Sequence, residues 1–351
     1  MARIRTFAIG RKQIGPGAPV YIIAEAGVNH NGDVGLAERM IKVAAEAGAD
    51  AVKFQAFKSE LLASPGAPLA DYQKKTVRTS RTQRTMLKEL ELAPDDFKVL
   101  KAVCDSEGIE FLASPFDLDS LKMLLDLGVR AVKVASPEMT DTPLLEAVAS
   151  ARVPALVSTG AATLDEIKDA VAALHAGKLY DIALFHCVSA YPAPYDQTNL
   201  RAIVTLRDYF RVPIGYSDHS PGLHVGVAAV ALGAQLLEKH FTLDRKLPGP
   251  DQPLSLEPSE LFSLVTAVRQ IENALGNGEK IPQPAEVNVR ESARKSLVTT
   301  RAVKKGDKIT AAMLTTKRPA TGIEPRFIRK VIGRRAKCDI GPDTIITWDM
   351  I

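Results

Sequence analysis

The residue that first points to chemistry is Glu25, which ends the apolar run in the stretch YIIAEAGVNHNG at residues 21–32. A buried carboxylate without a partner loses several kcal/mol of solvation or takes up a proton. We therefore expect a partner or a ligand beside it. Asn29, His30 and Asn31 follow at the next turn. They either continue the same polar surface or form a plain Asn-Gly turn in which the histidine has no role.

Two lysines lie inside apolar, β-branched segments: Lys53 in AVKFQAF and Lys133 in AVKVASPE. A lysine in a protein interior is costly unless it meets an anion. Hydroxyl groups at comparable places, Ser136, Ser158 and Ser217, would complete a cradle for a phosphate or a carboxylate. The alternative is a Schiff-base lysine, because a desolvated amine is a good nucleophile.

Two histidines end neighbouring segments, His219 in IGYSDH and His240 in LLEKH. Two imidazoles at adjacent strand ends can bind one divalent metal and leave positions open for water and substrate. The ligand type suits Zn, Fe or Mn. His186 is ambiguous, since its segment ALFHCV could be core, and Asp251 in the loop LPGPDQP is either a site residue or part of a plain turn.

Eight short apolar segments alternate with helical patterns between residues 21 and 242, which predicts repeated βα units and a parallel sheet. The segments are YIIAEAG at 21, AVKFQAF at 51, EFLASPF at 110, AVKVASPE at 131, PALVSTG at 154, DIALFHC at 181, PIGYSDH at 213 and LLEKHFT at 236. Eight such units predict an α/β fold of the (β/α)8 TIM-barrel type, with an excursion at residues 57–94. A doubly wound sheet usually carries a GxGxxG turn, and the sequence has none.

Each predicted strand begins apolar and ends polar, and in a barrel all these ends meet on the face that carries active sites. The polar residues are Glu25; Lys53 and Gln55; Ser114; Lys133, Ser136 and Glu138; Ser158 and Thr159; His186 and Ser189; Ser217, Asp218 and His219; Glu238 and His240. Some members have a simpler reading, such as a helix cap at Ser158–Thr159. The whole pattern predicts one active site at the barrel mouth.

The charge balance excludes one class of partner. The 351 residues carry 45 Lys and Arg against 41 Asp and Glu, which argues against nucleic-acid binding. The basic run KKTVRTSRTQR at 74–84 lacks aromatics and is expected to be a solvated face.

Cysteine usage and hydropathy indicate the compartment. Three cysteines without CxxC spacing are typical of a reducing environment. No signal peptide or membrane-length apolar run is evident. We expect a soluble, cytoplasmic protein with no membrane partner.

The pattern changes after residue 278, which predicts a second domain. Residues 1–278 are expected to form the barrel domain and the polar, proline-containing segment 279–295 a linker. Residues 296–351 predict short strands around a Lys-Lys-Gly-Asp turn and are too few for a robust core of their own.

The order of motifs along nearly the whole chain resembles the sialic acid (N-acetylneuraminate) synthase family, which includes bacterial legionaminate and pseudaminate synthases. The motifs are IIAEAGVNHNG, AVKFQAF, FLASPF, KVASPE, VSTG, HCVSAYP, IGYSDHS and LEKHFTLDRKLPGPDQPLSLEP. The resemblance implies condensation of phosphoenolpyruvate (PEP) with an N-acetylated aminosugar, with N-acetylmannosamine favoured. The products would be a nine-carbon 2-keto acid such as N-acetylneuraminate and phosphate. A legionaminate or pseudaminate synthase that uses a diamino-dideoxy sugar is the alternative.

The resemblance also implies roles for individual residues. Lys53, Lys133, Ser136, Ser158 and Ser217 match the PEP-binding set; His219 and His240 match the ligands of a divalent metal, Mn²⁺ before Mg²⁺ or Co²⁺; Glu25, Gln55, Glu138, Tyr191 and Asp251 match the sugar-facing set. Glu25 is the expected proton-handling group, compensated by substrate and metal rather than by an ion pair. Residues 296–351 resemble the antifreeze-like (SAF) domain, which implies a domain-swapped homodimer with Arg318 reaching the partner's site.

Three departures from the family pattern leave the sugar open. Ser189 replaces an Asn, Ala135 and Pro137 flank Ser136 in place of Gly, and DQP follows PGP. Two rival functions stay open, and the second is of a different class because it is not an enzyme. A PEP-dependent synthase acting on a sugar phosphate would need a second phosphate site, and a non-catalytic saccharide-binding barrel would need none of these charged groups.

Overall fold

A computed structural model describes residues 4–76 and 80–351. The chain divides into two compact units, Met1–Gly276 and Asn277–Ile351. The domain limits expected from the sequence, 1–278, 279–295 and 296–351, stay a prediction.

Strands and helices alternate through most of the first unit, and the last two strands and the last two helices given below belong to the second unit. The strands are β1 (Phe7–Ile9), β2 (Lys12–Ile14), β3 (Tyr21–Gly27), β4 (Ala51–Ala56), β5 (Glu110–Pro115), β6 (Val132–Val134), β7 (Ala155–Ser158), β8 (Ile182–Cys187), β9 (Ile214–Asp218), β10 (Leu236–His240), β11 (Ser296–Thr299) and β12 (Leu314–Lys317). The helices are α1 (Val34–Glu46), α2 (Ser59–Leu62), α3 (Asp71–Thr76), α4 (Gln83–Leu90), α5 (Pro94–Glu107), α6 (Leu118–Asp126), α7 (Thr142–Ala151), α8 (Leu164–Ala176), α9 (Arg201–Phe210), α10 (His224–Ala231), α11 (Pro258–Leu275), α12 (Val287–Ala293) and α13 (Ile328–Val331).

Strands β3–β10 form one parallel sheet in the order β5-β4-β3-β10-β9-β8-β7-β6. The two end strands of this order, β5 and β6, lie side by side, so the sheet is a nearly closed barrel with the return helices around it. All eight predicted strands are found at their predicted places. The expected (β/α)8 barrel is confirmed.

Side-chain caps start several return helices immediately after the loops at the barrel mouth. Asp33, Asp117 and Asp141 each accept a hydrogen bond from the backbone N–H three residues later. Such caps satisfy donors that the first helical turn leaves unpaired. They therefore fix where each βα loop ends, and with it the loop that borders the site.

The barrel interior changes from apolar to polar along the strands. Alternate residues of a strand point to the same side. On β3, Tyr21 and Ile23 join the buried apolar cluster at the N-terminal end of the barrel, whereas Glu25 lines a cavity at the other end. The hairpin β1–β2 contributes Phe7 and Ile14 to that cluster. The lower half of the barrel is thus filled, and the upper half is left for polar groups.

Asp50, at the N-terminal end of β4, joins several elements at the bottom of the barrel. It accepts hydrogen bonds from the Ile22 backbone N–H at 2.7 Å and from Arg269 at 3.1 Å, and it pairs with Lys12. Its side chain is buried. Asp50 therefore ties β3, β4, the hairpin and α11 together.

We expect Asp50→Ala to lower the free energy of unfolding by about 2–4 kcal/mol, because it leaves a buried backbone donor without an acceptor. Urea denaturation measures the loss. Asp50→Asn keeps an acceptor and should cost less, and Asp169→Ala on the exposed face of α8 should have little effect. A stability of Asp50→Ala equal to that of the exposed control would contradict this role.

The predicted excursion after β4 contains α2, α3 and α4. An apolar cluster that includes Phe57, Leu69, Met86 and Leu90 packs beneath it together with Val28 of the first βα loop. Part of the basic run at 74–84, residues 77–79, lies outside the described residues. Within the described part of that run, Lys74 and Arg81 are exposed, as expected of a solvated face, whereas Ser80 is buried.

The second unit, Asn277–Ile351, has its own small hydrophobic cluster, which includes Leu297, Val303, Ile340 and Ile346. The sequence predicts short strands in this region, and the structure has β11 and β12 there, paired antiparallel. The predicted linker contains the short helix α12, so it is not extended throughout.

Across residues 4–76 and 80–351, every helix is too short or too polar to cross a membrane.

Candidate active site

The C-terminal ends of the barrel strands surround a cavity of about 510 Å³. Every residue that the family resemblance assigned to the barrel site lines it, together with Ser189: Glu25, Lys53, Gln55, Lys133, Ser136, Glu138, Ser158, Ser189, Tyr191, Ser217, His219, His240 and Asp251. Of the other polar strand ends, Ser114 and Glu238 line the cavity, whereas Thr159, His186 and Asp218 do not, because their side chains bond to the Phe185 carbonyl, the Thr198 carbonyl and Lys239. Arg318 is exposed in the second unit, and its expected contact with a partner's site stays a prediction.

Four buried charges of alternating sign form the floor of the cavity. Lys53 Nζ lies 2.8 Å from Glu25 Oε2 and 3.8 Å from Glu238 Oε2, and Lys133 Nζ lies 3.6 Å from Glu238 Oε1. This corrects one expectation, because Glu25 does have an ion-pair partner in the protein itself. The sequence could not show it, since Glu25 and Lys53 come from different strands that meet only through the β3–β4 register.

The floor charges shift one another's protonation. Burial raises the pKa of Glu25 to about 7, with nearby Glu238 adding to the rise and Lys53 opposing it. Burial works against ionised Glu238 as well, but Lys133 and Lys53 together outweigh it and hold the pKa of Glu238 below its usual range. Burial lowers the pKa of Lys133. Glu25 is therefore the floor group poised to gain or lose a proton near neutral pH.

Hydroxyl groups surround the two lysines. Lys53 Nζ donates to Ser114 Oγ at 3.1 Å, and Lys133 Nζ donates to Ser158 Oγ at 2.5 Å. Ser136 Oγ accepts the Gly160 backbone N–H at 3.0 Å. A methyl group on Gly160 would lie only 2.2 Å from Ser189 Oγ. Because residue 160 is a glycine, its backbone can lie close to the hydroxyl groups of Ser136 and Ser189. These hydroxyl groups then stay available to bind an anion.

The two histidines lie on neighbouring strand ends, with ring centroids 5.5 Å apart. His219 Nδ1 is 2.7 Å from the Val188 carbonyl; because a carbonyl only accepts, Nδ1 carries the proton and Nε2 keeps its lone pair. His240 Nδ1 is buried and finds no hydrogen-bond partner among the described residues, and Asp251 Oδ2 lies 3.8 Å from it.

These donors fit a divalent metal. Burial lowers the pKa of both imidazoles, and His219 adds to the effect on His240, so both rings are neutral and able to act as ligands at neutral pH. Within residues 4–76 and 80–351, no cluster of three His, Cys, Asp or Glu ligands forms. A divalent metal held by the two imidazoles would keep positions open for substrate or water.

Aromatic rings form one side of the mouth. The Tyr191 ring lies 4.3 Å from the His219 ring and 5.1 Å from the ring of Tyr72 on α3. Tyr72 thus joins the excursion to the histidines.

Two further carboxyl groups line the cavity. Burial raises the pKa of Glu138 to about 7 and that of Asp251 to about 6, so these carboxyl groups change protonation near neutral pH.

One part of the cavity lining, the apolar wall, comes from a single hydrophobic cluster. It consists of Val28, Leu62, Met86, Leu87, Leu90 and Phe116. Gln73 and Gln83 of the excursion also line the cavity. Among the described residues that the excursion contributes to the cavity, none is basic. The apolar side chains of this wall suit methyl and acetamido groups.

The polar turn after Glu25, residues 29–31, lies outside the cavity and supports a loop that borders it. Asn29 Nδ2 donates to the Phe241 carbonyl and to Ser255 Oγ, both at 2.8 Å, and Gln252 Nε2 donates to the Asn29 carbonyl at 3.1 Å. Of residues 28–32, only Val28 lines the cavity. The turn thus holds the loop that carries Asp251, and it does not extend the polar surface.

Some lining residues were not assigned a role from the sequence. Glu238 and Ser114 were recognised only as polar strand ends. Glu238 lies two residues before His240, a spacing that could have placed both on the inner face. Tyr72, Gln73 and Gln83 lie in the excursion, where the sequence gives no periodic signal that points to the cavity.

Comparison with known proteins identifies the family. The profile of the NeuB family matches residues 40–280, and that of the SAF domain matches residues 294–351. The chain belongs to the NeuB family. It is an enzyme of this PEP-condensing type, which confirms the expected class, and synthases of this family are metal-dependent in general.

Relatives of this NeuB-family chain carry names with different products. The chain is 42% identical to the N,N'-diacetyllegionaminic acid synthase of Legionella pneumophila over 97% of both chains. It is 44% identical to the synthase of the same name from Campylobacter jejuni, over 93% of this chain and 98% of that one. Among solved structures, an N-acetylneuraminic acid synthetase from Leptospira borgpetersenii, in complex with citrate, is similar with a TM-score of 0.72 and 40% identity. That match covers 81% of this chain and 95% of the other.

Proposed function

We propose that this NeuB-family enzyme condenses PEP with an unphosphorylated, diacetylated diamino sugar whose terminal carbon is a methyl group, giving an N,N'-diacetyllegionaminate-type acid and phosphate. The apolar wall formed by Leu62, Met86, Leu87 and Leu90 carries this proposal. An acceptor whose reacting aldehyde lies near the floor must extend its other end toward this wall. Hydroxyl groups placed there would lose hydrogen bonds to water, whereas methyl and acetamido groups would be buried favourably.

The floor and its hydroxyl groups would hold PEP. Lys53 and Lys133 carry the charges that a phosphate and a carboxylate require, and Ser136, Ser158 and Ser217 supply hydroxyl groups around them. Pairing with carboxylates favours the protonated form of both lysines and opposes the effect of burial on the pKa of Lys133, which makes them poor nucleophiles. PEP also needs no Schiff base with an amine, because it is already an enol phosphate and its methylene carbon is already nucleophilic.

Bond changes follow from this placement. The PEP methylene carbon forms a bond to the sugar aldehyde carbon, whose oxygen takes up a proton. Water then adds to the oxocarbenium carbon, and the tetrahedral intermediate loses phosphate by cleavage of its carbon–oxygen bond. Glu25, with its pKa near 7, would exchange the proton with the sugar and the water. A divalent metal on His219 and His240, for which we propose Mn²⁺, would polarise the aldehyde as a Lewis acid.

Phosphate release from PEP tests the proposal across a panel of acceptors, with Mn²⁺ and with a chelator. We expect the diacetylated diamino sugar to give the highest kcat/KM, N-acetylmannosamine to react more slowly, and its 6-phosphate to be inert. If turnover is fastest with N-acetylmannosamine, the acceptor is the sugar that the sequence favoured and the diamino sugar is wrong. Release from no acceptor would contradict the catalytic assignment.

A Schiff-base mechanism predicts a different result. Sodium borohydride would then fix the pyruvyl group to Lys53 or Lys133. We expect reduction in the presence of PEP and acceptor to leave both lysines unmodified when the intact mass is measured. A mass increase that maps to either lysine would contradict the proposed role of these residues.

We also propose, from the family resemblance, a cytoplasmic homodimer in which Arg318 contacts the partner's site. Glu25→Gln and Arg318→Ala chains should each be nearly inactive alone. When they are mixed and allowed to exchange subunits, activity should return, because one barrel then has both an intact Glu25 and an intact partner arginine. Mixtures that stay inactive after demonstrated exchange would contradict the swapped arrangement.

A further inference from the structure

A buried ion pair lies directly behind the two histidines. Asp218 and Lys239 precede His219 and His240 in the chain, and they are register partners in the β9–β10 ladder. Lys239 Nζ lies 2.9 Å from Asp218 Oδ2, and their side chains are 1% and 0% exposed. The neighbours of this pair in the chain, Ser217, His219, Glu238 and His240, all line the cavity, so Asp218 and Lys239 lie on the outer side of the barrel wall.

The pair holds the chain on both sides of His219. Asp218 Oδ1 accepts the Ser220 backbone N–H at 2.9 Å and the Ser220 hydroxyl at 2.6 Å. Lys239 Nζ also donates to the Ser220 carbonyl. Residues 218 and 220 are therefore both fastened to residue 239 of the neighbouring strand, with His219 between them and His240 next in the chain.

Space for the pair comes from the helix layer. Gly226 of α10 faces it so closely that a methyl group there would lie 3.3 Å from Asp218 Oδ2. Packed apolar side chains could fill the same volume, and replacing a buried ion pair by such residues is often neutral or stabilising. Stability alone is therefore a weak reason for two charges at this place.

We propose that Asp218 and Lys239 are positioning residues that fix the separation of His219 and His240, so that one divalent cation can contact both. This inference rests on the metal site of the proposed function. The ring of His219 is oriented by the Val188 carbonyl, while its backbone is fixed by the pair. Some groups orient metal ligands without binding the metal themselves. Their removal typically changes metal affinity about 10- to 100-fold.

The test is Mn²⁺ affinity of the metal-free full chain, measured by electron paramagnetic resonance titration, so that the readout does not depend on turnover. We expect Lys239→Met to weaken Mn²⁺ binding about 10- to 100-fold. The matched control is Lys122→Met, which breaks an exposed ion pair with Asp126 on α6 and should bind Mn²⁺ as the unmodified chain does. Thermal unfolding confirms that each variant is folded.

A second variant keeps the test decisive if Lys239→Met does not fold. The double change Asp218→Asn with Lys239→Gln removes both charges but keeps an amide at position 239. That amide can donate to the side-chain oxygen at position 218 or to the Ser220 carbonyl. We expect this double variant to fold and to recover Mn²⁺ affinity to within about 3-fold, because position and not charge is what the histidines require.

Three results would overturn the inference in distinguishable ways. If His240→Ala loses Mn²⁺ binding while folded Lys239→Met binds as tightly as the unmodified chain, the metal site stands and the positioning role is wrong. If the unmodified chain and His240→Ala bind Mn²⁺ equally, the metal site of the proposed function is wrong, and the positioning role falls with it. A folded double variant that loses affinity as Lys239→Met does would also contradict positioning by hydrogen bonds.

Discussion

Glu25→Gln is expected to release phosphate from PEP about 10²- to 10⁴-fold more slowly than the unmodified enzyme, the range in which a positioned general acid or base usually contributes. Glutamine has nearly the same shape but cannot exchange a proton. The fold should persist, because Lys53 keeps Glu238 at 3.8 Å as a partner. Steady-state kinetics with saturating PEP and acceptor measure the loss in kcat.

The matched control for this variant is Glu110→Gln on β5. Glu110 lies at the other end of its strand and pairs with Arg130 at 3.1 Å, away from the residues that line the cavity. It should keep normal turnover. Near-normal phosphate release by Glu25→Gln would end the assignment of Glu25 as the proton-handling group.

The pH dependence of stability gives the same carboxyl group an independent signature. The folded pKa of Glu25 is about 7, above the ordinary value of 4.5, so between these values the folded chain binds a proton that the unfolded chain has lost. Its contribution to stability is therefore lost as pH rises from about 4.5 to 7 and stays absent above that. Glu25→Gln should lack this contribution, which the difference between the two stability–pH curves isolates.

Lys133→Met is expected to lower kcat/KM for PEP roughly 10²- to 10³-fold, because removing one member of a buried charge pair typically costs about 2–5 kcal/mol. Lys133 is buried, with Ser158 at 2.5 Å and Glu238 at 3.6 Å. Its loss leaves Glu238 with less compensation at the place where an anion must bind. Phosphate release as a function of PEP concentration measures the change.

A second lysine-to-methionine change, away from the cavity, is the control. It shows what such a substitution does when the charge at position 133 is kept. Lys101→Met on α5 breaks an ion pair with Asp105 at 2.8 Å and should leave kcat/KM for PEP unchanged. In Lys133→Met the KM for the acceptor should change much less than that for PEP. A defect confined to the acceptor would place Lys133 on the sugar side of the cavity.

The barrel and most of its mouth could be predicted because both rest on local patterns. Each strand carries its apolar run and its polar end within a few residues, so YIIAE and LLEKH already contain the order of Tyr21 before Glu25 and Leu236 before His240. Parallel strands then bring all polar ends to one face without further information. For the same reason His219 and His240 were expected on adjacent strands, as observed.

What could not be predicted depends on contacts between distant segments. The partner of Glu25 is decided by the register of β3 on β4, and the position of Tyr72 against Tyr191 is decided by how the excursion folds back. The turn Asn29–Asn31 illustrates the same limit of local patterns. Its polarity resembles that of a site, yet Gln252 Nε2 donates to the Asn29 carbonyl and to Asn31 Oδ1, and His30 Nδ1 accepts the Gly32 backbone N–H within the turn.

The four charges on the cavity floor have a thermodynamic consequence. Lys53 and Lys133 against Glu25 and Glu238 sum to zero when all are ionised, so the two carboxylates offset the positive charge that the lysines offer to a trianion such as PEP. Either a proton on Glu25 or a divalent cation nearby must supply the counter-charge. Binding of PEP and of the cation should then be positively linked, each raising the affinity for the other by the same factor. A chelator would therefore weaken PEP binding itself, and not turnover alone.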